Sequence, residues 1–232
     1  MEFFSVEILD AYTDALDILV LKTEKPSLFE FNAGQYTVIS LRVSGSDVMK
    51  PFSIACSPTK PYLLFATKNT GSDFKKSWLQ LKKGDTIKIT KARGSFVFDE
   101  SFLQNVFLSG GIGITPLKSM LEYVTDKKLK NNITLLYSNK VPQDIPFLKD
   151  LQAFNSPTVH VELTITRPED AGKKIKCRTG RIDEAMVKEV APPQARYYIC
   201  GPPLMVQAME QILLSMKIDQ SNIRKELFTG YA

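Results

Sequence analysis

The chain has 232 residues, 44% of them hydrophobic and 24% charged, with a formal net charge of +5. That length suits one large domain or two ordinary ones with ample core, and so small and dispersed a charge excess excludes a nucleic-acid surface while allowing an anionic cofactor or an acidic partner. Three cysteines without CxxC spacing (Cys56, Cys177, Cys200) and a single histidine, His160, exclude a disulfide framework, a metal or iron–sulfur site and a histidine-based triad.

Residues 1–98 read as all-β. Short runs rich in Val, Ile, Phe and Tyr alternate with turn signals at Lys25-Pro26, Ala33-Gly34, Ser44-Gly45-Ser46-Asp47, Ser57-Pro58 and Lys83-Gly84-Asp85. This spacing predicts a small antiparallel barrel. Within it, Ser72 to Leu81 predicts a short helix with Phe74, Trp78, Leu79 and Leu81 turned inward. Asp99-Glu100-Ser101 reads as a linker, giving expected domains of 1–98 and 103–232.

The period then changes. Val106-Phe107-Leu108 is the apolar run of a buried parallel strand. Glycines follow at 110, 111 and 113, then Thr115 as an expected helix N-cap and Pro116 as the first helical residue. Leu117, Met120, Leu121 and Val124 predict a helix over 116–127. Beyond it come a strand Ile133–Tyr137, a helix over 144–154, a strand Val159–Ile165 and a loop. A helical piece near 182–190, a strand Tyr197–Cys200, a helix Pro203–Met216 and an extended Ile223–Phe228 complete the series. Strands alternating with helices mean parallel βαβ units, so the expected fold class is a β-barrel followed by an open α/β domain.

Open α/β sheets bind ligands beyond the carboxyl ends of their strands. Four such ends are legible: Ser109-Gly110-Gly111, Ser138-Asn139-Lys140, Thr166-Arg167 and Cys200-Gly201-Pro202-Pro203. The glycine turn also offers free N–H groups and a partial positive charge to a pyrophosphate or a nicotinamide ribose. It does not match G-x-G-x-x-G. A turn that binds nothing is the alternative, made less attractive by the small, polar or basic residues at the other strand ends. The N-terminus shows no basic-then-apolar signal pattern and no stretch suits a bilayer, so no membrane insertion and a cytoplasmic setting are expected.

Several ordered motifs carry a resemblance. Gly110-Gly111-Ile112-Gly113-Ile114-Thr115-Pro116 and Cys200-Gly201-Pro202-Pro203-Leu204-Met205 resemble the nicotinamide-binding half of the ferredoxin–NADP⁺ reductase superfamily. Lys50-Pro51-Phe52-Ser53-Ile54-Ala55 resembles its Arg-x-Tyr-Ser flavin motif. Phe31 to Tyr36 precede that motif, and Gly71 to Leu79, Lys83-Gly84-Asp85, Arg93 to Phe96 and Glu226 to Tyr231 follow in family order. The resemblance implies an antiparallel Greek-key barrel holding FAD and a parallel-sheet domain holding NADPH or NADH.

By that resemblance Phe52 lies against the flavin ring, Ser53 hydrogen-bonds near it, and Lys50 faces a phosphate. Pro51, Thr67, Lys68, Gly71, Ser72, Phe74, Lys75, Lys76 and Ser77 complete the flavin site, with Asp73 a possible helix cap. Gly111, Ile112, Gly113, Thr115, Pro116, Ser138, Asn139, Lys140, Arg167, Cys200, Gly201, Pro202 and Met205 take the nicotinamide nucleotide. Ser53, Cys200 and Glu226 are the implied catalytic residues, and Phe228 closes the cleft, with Tyr231 a second aromatic candidate. Lysine replaces the usual arginine at 50 and is a point charge without a bidentate fork. Phenylalanine replaces tyrosine at 52, losing a hydroxyl contact, so non-covalent and looser FAD binding is expected. Ser138-Asn139-Lys140 lacks the acid that reads a ribose diol, which favours NADPH.

The implied function is an NAD(P)H-dependent flavoprotein reductase that passes electrons to a ferredoxin, a flavodoxin or an oxygenase component. Two alternatives remain at this level: an electron-transfer subunit of a larger redox complex, and a flavin reductase that uses free flavin as substrate.

Overall fold

The computed structural model describes residues 2–170, 175–192 and 194–229. Gly230 and Tyr231 of the C-terminal motif lie outside the described residues. The first half is a six-stranded antiparallel sheet of β1 (Phe3–Thr13), β2 (Ile18–Glu24), β3 (Tyr36–Val43), β4 (Ser46–Ser53), β5 (Tyr62–Lys68) and β6 (Thr86–Thr90), in the order β4-β3-β6-β1-β2-β5. Thr37, Ile39, Leu41 and Val43 alternate inward along β3 at the strand period of two. The β3–β4 hairpin turns through Ser44 and Gly45, both at positive φ, which matches the twist of paired strands. Just past β4 the chain stays bonded to the start of β3 and reaches the opposite edge strand: the Ile54 N–H donates to Gln35 O at 2.9 Å and the Ala55 N–H to Leu64 O of β5 at 2.7 Å. Those bonds curl the sheet into a half-barrel.

Between β5 and β6 lies α1 (Asp73–Leu79). Its inner face is Phe74, Lys75 and Trp78. Leu79 does not point inward as expected; it is 51% exposed at the last helical position, and the partly buried Leu81 packs from the turn that follows.

The second half is a parallel sheet of β7 (Gln104–Gly110), β8 (Asn132–Asn139), β9 (Val159–Ile165), β10 (Arg178–Thr179), β11 (Arg196–Gly201) and β12 (Ile223–Leu227), in the order β10-β9-β8-β7-β11-β12. Val106, Phe107 and Leu108 are fully buried, as a strand covered on both faces requires. The chain proceeds outward from β7 in one direction and then returns to its other side at β11. The strand order therefore reverses at the carboxyl ends of β7 and β11, where open α/β sheets place ligands.

The helices are α2 (Ile114–Lys127), α3 (Leu148–Ala153), α4 (Glu184–Val190) and α5 (Pro203–Ser215). Thr115 is not the N-cap of α2. A 3-10 turn over Gly111–Gly113 starts the coil earlier, and the Thr115 hydroxyl donates back to Ile112 O at 3.1 Å. The helix expected over 144–154 is a 3-10 turn, Pro142–Asp144, followed separately by α3. Ile145 precedes Pro146 and is extended, as residues before proline tend to be, which breaks the helix there. The two-residue β10 falls in a stretch read as loop. Asp183 caps α4 by accepting the Met186 N–H at 2.9 Å.

The residues read as a linker are held in place. The Asp99 N–H donates to the Tyr198 hydroxyl at 2.9 Å, and the Asn131 amide donates to Glu100 O and Phe102 O. Phe96, Phe98, Phe107 and Tyr198 pack as one aromatic cluster, so the hydrophobic core runs from one half into the other.

Candidate active site between the two sheets

A cavity of about 450 Å³ opens at the carboxyl ends of β7, β8 and β11. Gly110, Gly111 and Ile112 form its floor, Ser138 to Lys140 one wall, and Pro202 and Met205 another. The antiparallel half contributes Asp17, Ile18 and Lys68 to its mouth. Gly111 has φ +54°, and a Cβ built there would meet nothing within 4 Å. The Tyr137 hydroxyl donates to Gly111 O at 2.7 Å and fixes the turn. The floor is thus bare backbone, which a flat or anionic group can approach closely.

At the far end of the cavity polar donors gather. Asn139 Nδ2 is buried, with the Asn139 side chain next to the Tyr137 hydroxyl. Lys140, Thr166 and Arg181 line the same region, with Asp144 the acid beside them. Arg167, expected here, is exposed and outside the lining; its N–H donates to Lys140 O at 2.9 Å. Arg181 takes the place that sequence reading gave to Arg167. It follows β10, a strand too short for its pattern to show, so no sequence signal brought Arg181 to this wall.

Several other expected residues stand behind the floor. A Cβ on Gly113 would lie 2.4 Å from Cys200 O, so that glycine allows α2 to pack on β11 and does not line the cavity. Gly201 is similarly crowded by Met205 and Gly110. Thr115, Pro116 and Cys200 are buried, and burial pushes the Cys200 thiol well above its usual range. Cys200 faces Glu226 across the β11–β12 register. Burial lifts the Glu226 carboxyl to about 7, and its Oε2 has no hydrogen-bond partner among the described residues. Near neutral pH this side chain can therefore hold a proton. Ser53 is buried on the other half, with no described hydrogen bond to either residue.

The flavin-motif face is built differently. Phe52 is 5% exposed, stacked on Phe74 at 5.7 Å between ring centres and tilted against Trp78 at 4.8 Å. The Lys75 ammonium lies 4.7 Å from the Phe52 ring centre and donates to the Thr67 hydroxyl. Phe52 is therefore a core residue here, not an open platform for a ring. Burial, and then the like charge of Lys50, push the Lys75 ammonium down to about 7. Lys50 and Lys75 both approach Phe74, at 5.8 and 5.7 Å from its centre.

An anion beside these two cations would relieve their repulsion, so the donor set fits the phosphate end of a flavin nucleotide. Gly71, at φ +72° with open space at its Cβ position, and the exposed Ser72 offer a backbone rim beside them. Asp73 is the first helical residue and pairs with Lys76 at 2.9 Å, which neutralises that lysine. Pro51 is exposed and Ser77 half-buried. Phe228, half-buried after β12, packs against the core with its N–H donating to Gly201 O at 2.9 Å.

Comparison with known proteins agrees with this geometry. Residues 107–211 match the model of the oxidoreductase NAD-binding domain. The chain is 29% identical over 213 residues to the glycine betaine monooxygenase reductase subunit of Chromohalobacter salexigens, an alignment covering 88% of this chain and 58% of the relative. It is 30% identical over 208 residues to the flavohemoprotein of Bacillus subtilis, covering 86% of this chain and 52% of that one. It thus spans little more than half the length of these curated relatives. Among solved structures, a ferredoxin NADP⁺ reductase from Neisseria gonorrhoeae with bound FAD and NADP superposes with a TM-score of 0.85 at 20% identity, over 98% of this chain and 99% of that one. The chain thus shares its fold, a curled antiparallel sheet joined to a parallel sheet with a glycine floor at its switch point, with a ferredoxin NADP⁺ reductase structure, and its parallel-sheet half carries the match to the oxidoreductase NAD-binding domain.

Proposed function

We propose that the protein is an NAD(P)H-dependent flavoprotein reductase, taking hydride from the nicotinamide nucleotide onto FAD and passing electrons to a redox carrier. The observation that carries this reading is the bare-backbone cavity at the strand-order reversal, together with Lys50 and the buried Lys75 converging on Phe74 in the antiparallel half. Bound FAD would supply the change from two-electron to one-electron chemistry. The chain's own part is to hold and orient, because hydride transfer needs close, aligned partners more than an added base. Lys50, Lys75 and the Gly71–Ser72 rim hold the phosphates of FAD. Gly110 to Ile112, Pro202 and Met205 hold the nicotinamide nucleotide, and Glu226 stands behind that floor, opposite Cys200.

NADPH is the preferred donor on this reading. Lys140 and Arg181 outnumber Asp144 on one wall of the cavity and suit a dianionic phosphate. The acceptor is a one-electron carrier such as the terminal component of an oxygenase, in keeping with the reductase-subunit relative. No helix among the described residues is long and apolar enough to cross a membrane. With Cys56, Cys177 and Cys200 all unpaired, a reducing, cytoplasmic setting fits.

The test is anaerobic mixing of the FAD-loaded protein with NADPH, and separately with NADH, while the flavin absorbance is followed. Bleaching by NADPH at the lower concentration is the expected result. An unbleached flavin with both nucleotides rejects the reading. A chain that never retains flavin, yet oxidises NADPH when free flavin is added, would favour the flavin-reductase alternative.

A further inference from the structure

The helix that begins at the nicotinamide floor is fastened to the antiparallel half by one polar stripe. Ser119, Glu122 and Asp126 follow each other at spacings of three and four, so they share a face of α2. The Ser119 hydroxyl donates to Cys56 O at 2.6 Å. Glu122 Oε2 accepts the Ser57 N–H at 2.7 Å. Asp126 accepts the Thr59 hydroxyl at 2.5 Å and pairs with Lys60 at 3.0 Å, while Lys60 also reaches Glu122 at 3.5 Å. All the partners lie in the segment that continues directly from Phe52-Ser53 of the flavin motif.

Behind the stripe, Lys118 is only 1% exposed. Its ammonium lies 3.2 Å from Asp150 and 3.8 Å from Glu122. The segment leading into α3 in turn reaches the other half: the Phe147 N–H donates to Asp14 at 2.6 Å, and the Leu16 N–H to Gln143 O at 3.1 Å. Glu122 is 8% exposed and occupies the centre of this arrangement. A carboxylate so buried is retained only where charge and hydrogen bonds satisfy it, and removing one partner leaves the others unmatched.

We propose that Glu122, braced by Lys118, is a positioning residue that sets the separation between the flavin face and the nicotinamide floor. It touches neither cofactor site. It holds the backbone at Ser57, four residues beyond Ser53, against the helix that starts at Gly111–Gly113. The proposal rests on the reductase reading, because that reading is what makes the separation matter to a rate.

The experiment compares wild type, Glu122→Ala, Glu122→Gln and, as a control remote from the stripe, Leu213→Ala in α5, all FAD-loaded. Three quantities are measured: the single-turnover rate of flavin bleaching by NADPH, the dissociation constants for FAD and nucleotide, and hydrogen exchange at the Ser57 amide. Glu122→Ala is expected to slow bleaching by about tenfold or more, given the sensitivity of hydride transfer to small misplacements. Both dissociation constants should stay within about threefold of wild type, with Ser57 losing its protection. Glu122→Gln should recover part of the rate, because its amide oxygen can still accept the Ser57 N–H. Leu213→Ala should lower the melting temperature without changing the rate.

An unchanged rate in Glu122→Ala, or a loss shared equally by Leu213→Ala, overturns the proposal. A wild-type protein that neither nucleotide bleaches overturns the functional reading and the proposal with it, so the two failures are distinguishable.

Discussion

The two cofactor faces are made from different material. The nicotinamide side is backbone: a glycine turn without Cβ atoms, strand ends and a formed cavity. The flavin side is side chains: Phe52, Phe74, Trp78 and Lys75 interlocked in the place where a ring would be sought. A backbone site exists as soon as the sheet folds, since its geometry is fixed by hydrogen-bonded strands. A side-chain site is set by rotamers and can rearrange within the same fold. The first is therefore preformed, and the second is settled by what binds.

The most disruptive test of this contrast is at the glycines. Gly113→Ala would drive a methyl group into Cys200 O, forcing α2 away from β11. The expected cost is about 3 kcal/mol, a fall in melting temperature of about 6–12 °C read by calorimetry. Gly111→Ala carries only the left-handed backbone penalty of about 1–2 kcal/mol. Its methyl points into open floor, so the protein should stay folded and show a raised KM for the nucleotide. Equal melting losses in the two variants would mean that the turn is not divided into a packing glycine and a ligand-facing one.

Next in size is Arg181→Ala. Losing a charge-assisted contact to a phosphate costs about 1.5–3 kcal/mol, so kcat/KM for NADPH should fall by about tenfold or more. The NADH value should stay nearly unchanged. A parallel loss with both nucleotides would remove Arg181 from selection between them.

Glu226 tests the seam between the faces through pH. Its carboxyl binds a proton more tightly in the folded chain, with a value of about 7 against 4.5 for the free group. The folded state then holds more protons across that interval, so the stabilising effect is complete below pH 4.5 and is lost as pH rises through 7. Urea unfolding at pH 5 and pH 8 should differ by at most about 3 kcal/mol from this group, and Glu226→Gln should flatten the difference.

The smallest expected effect belongs to Lys75. Its ammonium loses its proton above about 7 in the ligand-free protein. Flavin affinity followed by fluorescence should weaken as pH rises from 7 to 9, by at most about tenfold per pH unit. Lys75→Met should bind more weakly at pH 6 and respond less to pH. A pH-independent wild type would separate Lys75 from the phosphate.

Much of this was legible in the residues. Val106–Leu108 followed by glycines announces a buried strand and its turn, because a strand covered on both faces must be apolar throughout. The alternation of strands with helices fixes the parallel sheet, and Val159–Ile165 has the same limits in sequence and structure. What escaped depends on partners distant in the chain. Nothing local says that Gly113 faces Cys200 while Gly111 faces space, since both are glycines in one turn. Arg181 and Arg167 look alike in sequence, and only the placement of two-residue β10 beside β9 chooses between them. Phe52 sits in a flavin motif, yet its burial is decided by α1, more than twenty residues onward.

Trp78 is the chain's single tryptophan, 2% exposed and 4.8 Å from Phe52. All indole emission therefore originates at one dry point beneath the flavin motif, and its colour should be correspondingly blue. A yellow chromophore arriving there will absorb that light. The protein thus carries an internal lamp whose dimming times the loading of its cofactor, with no label attached.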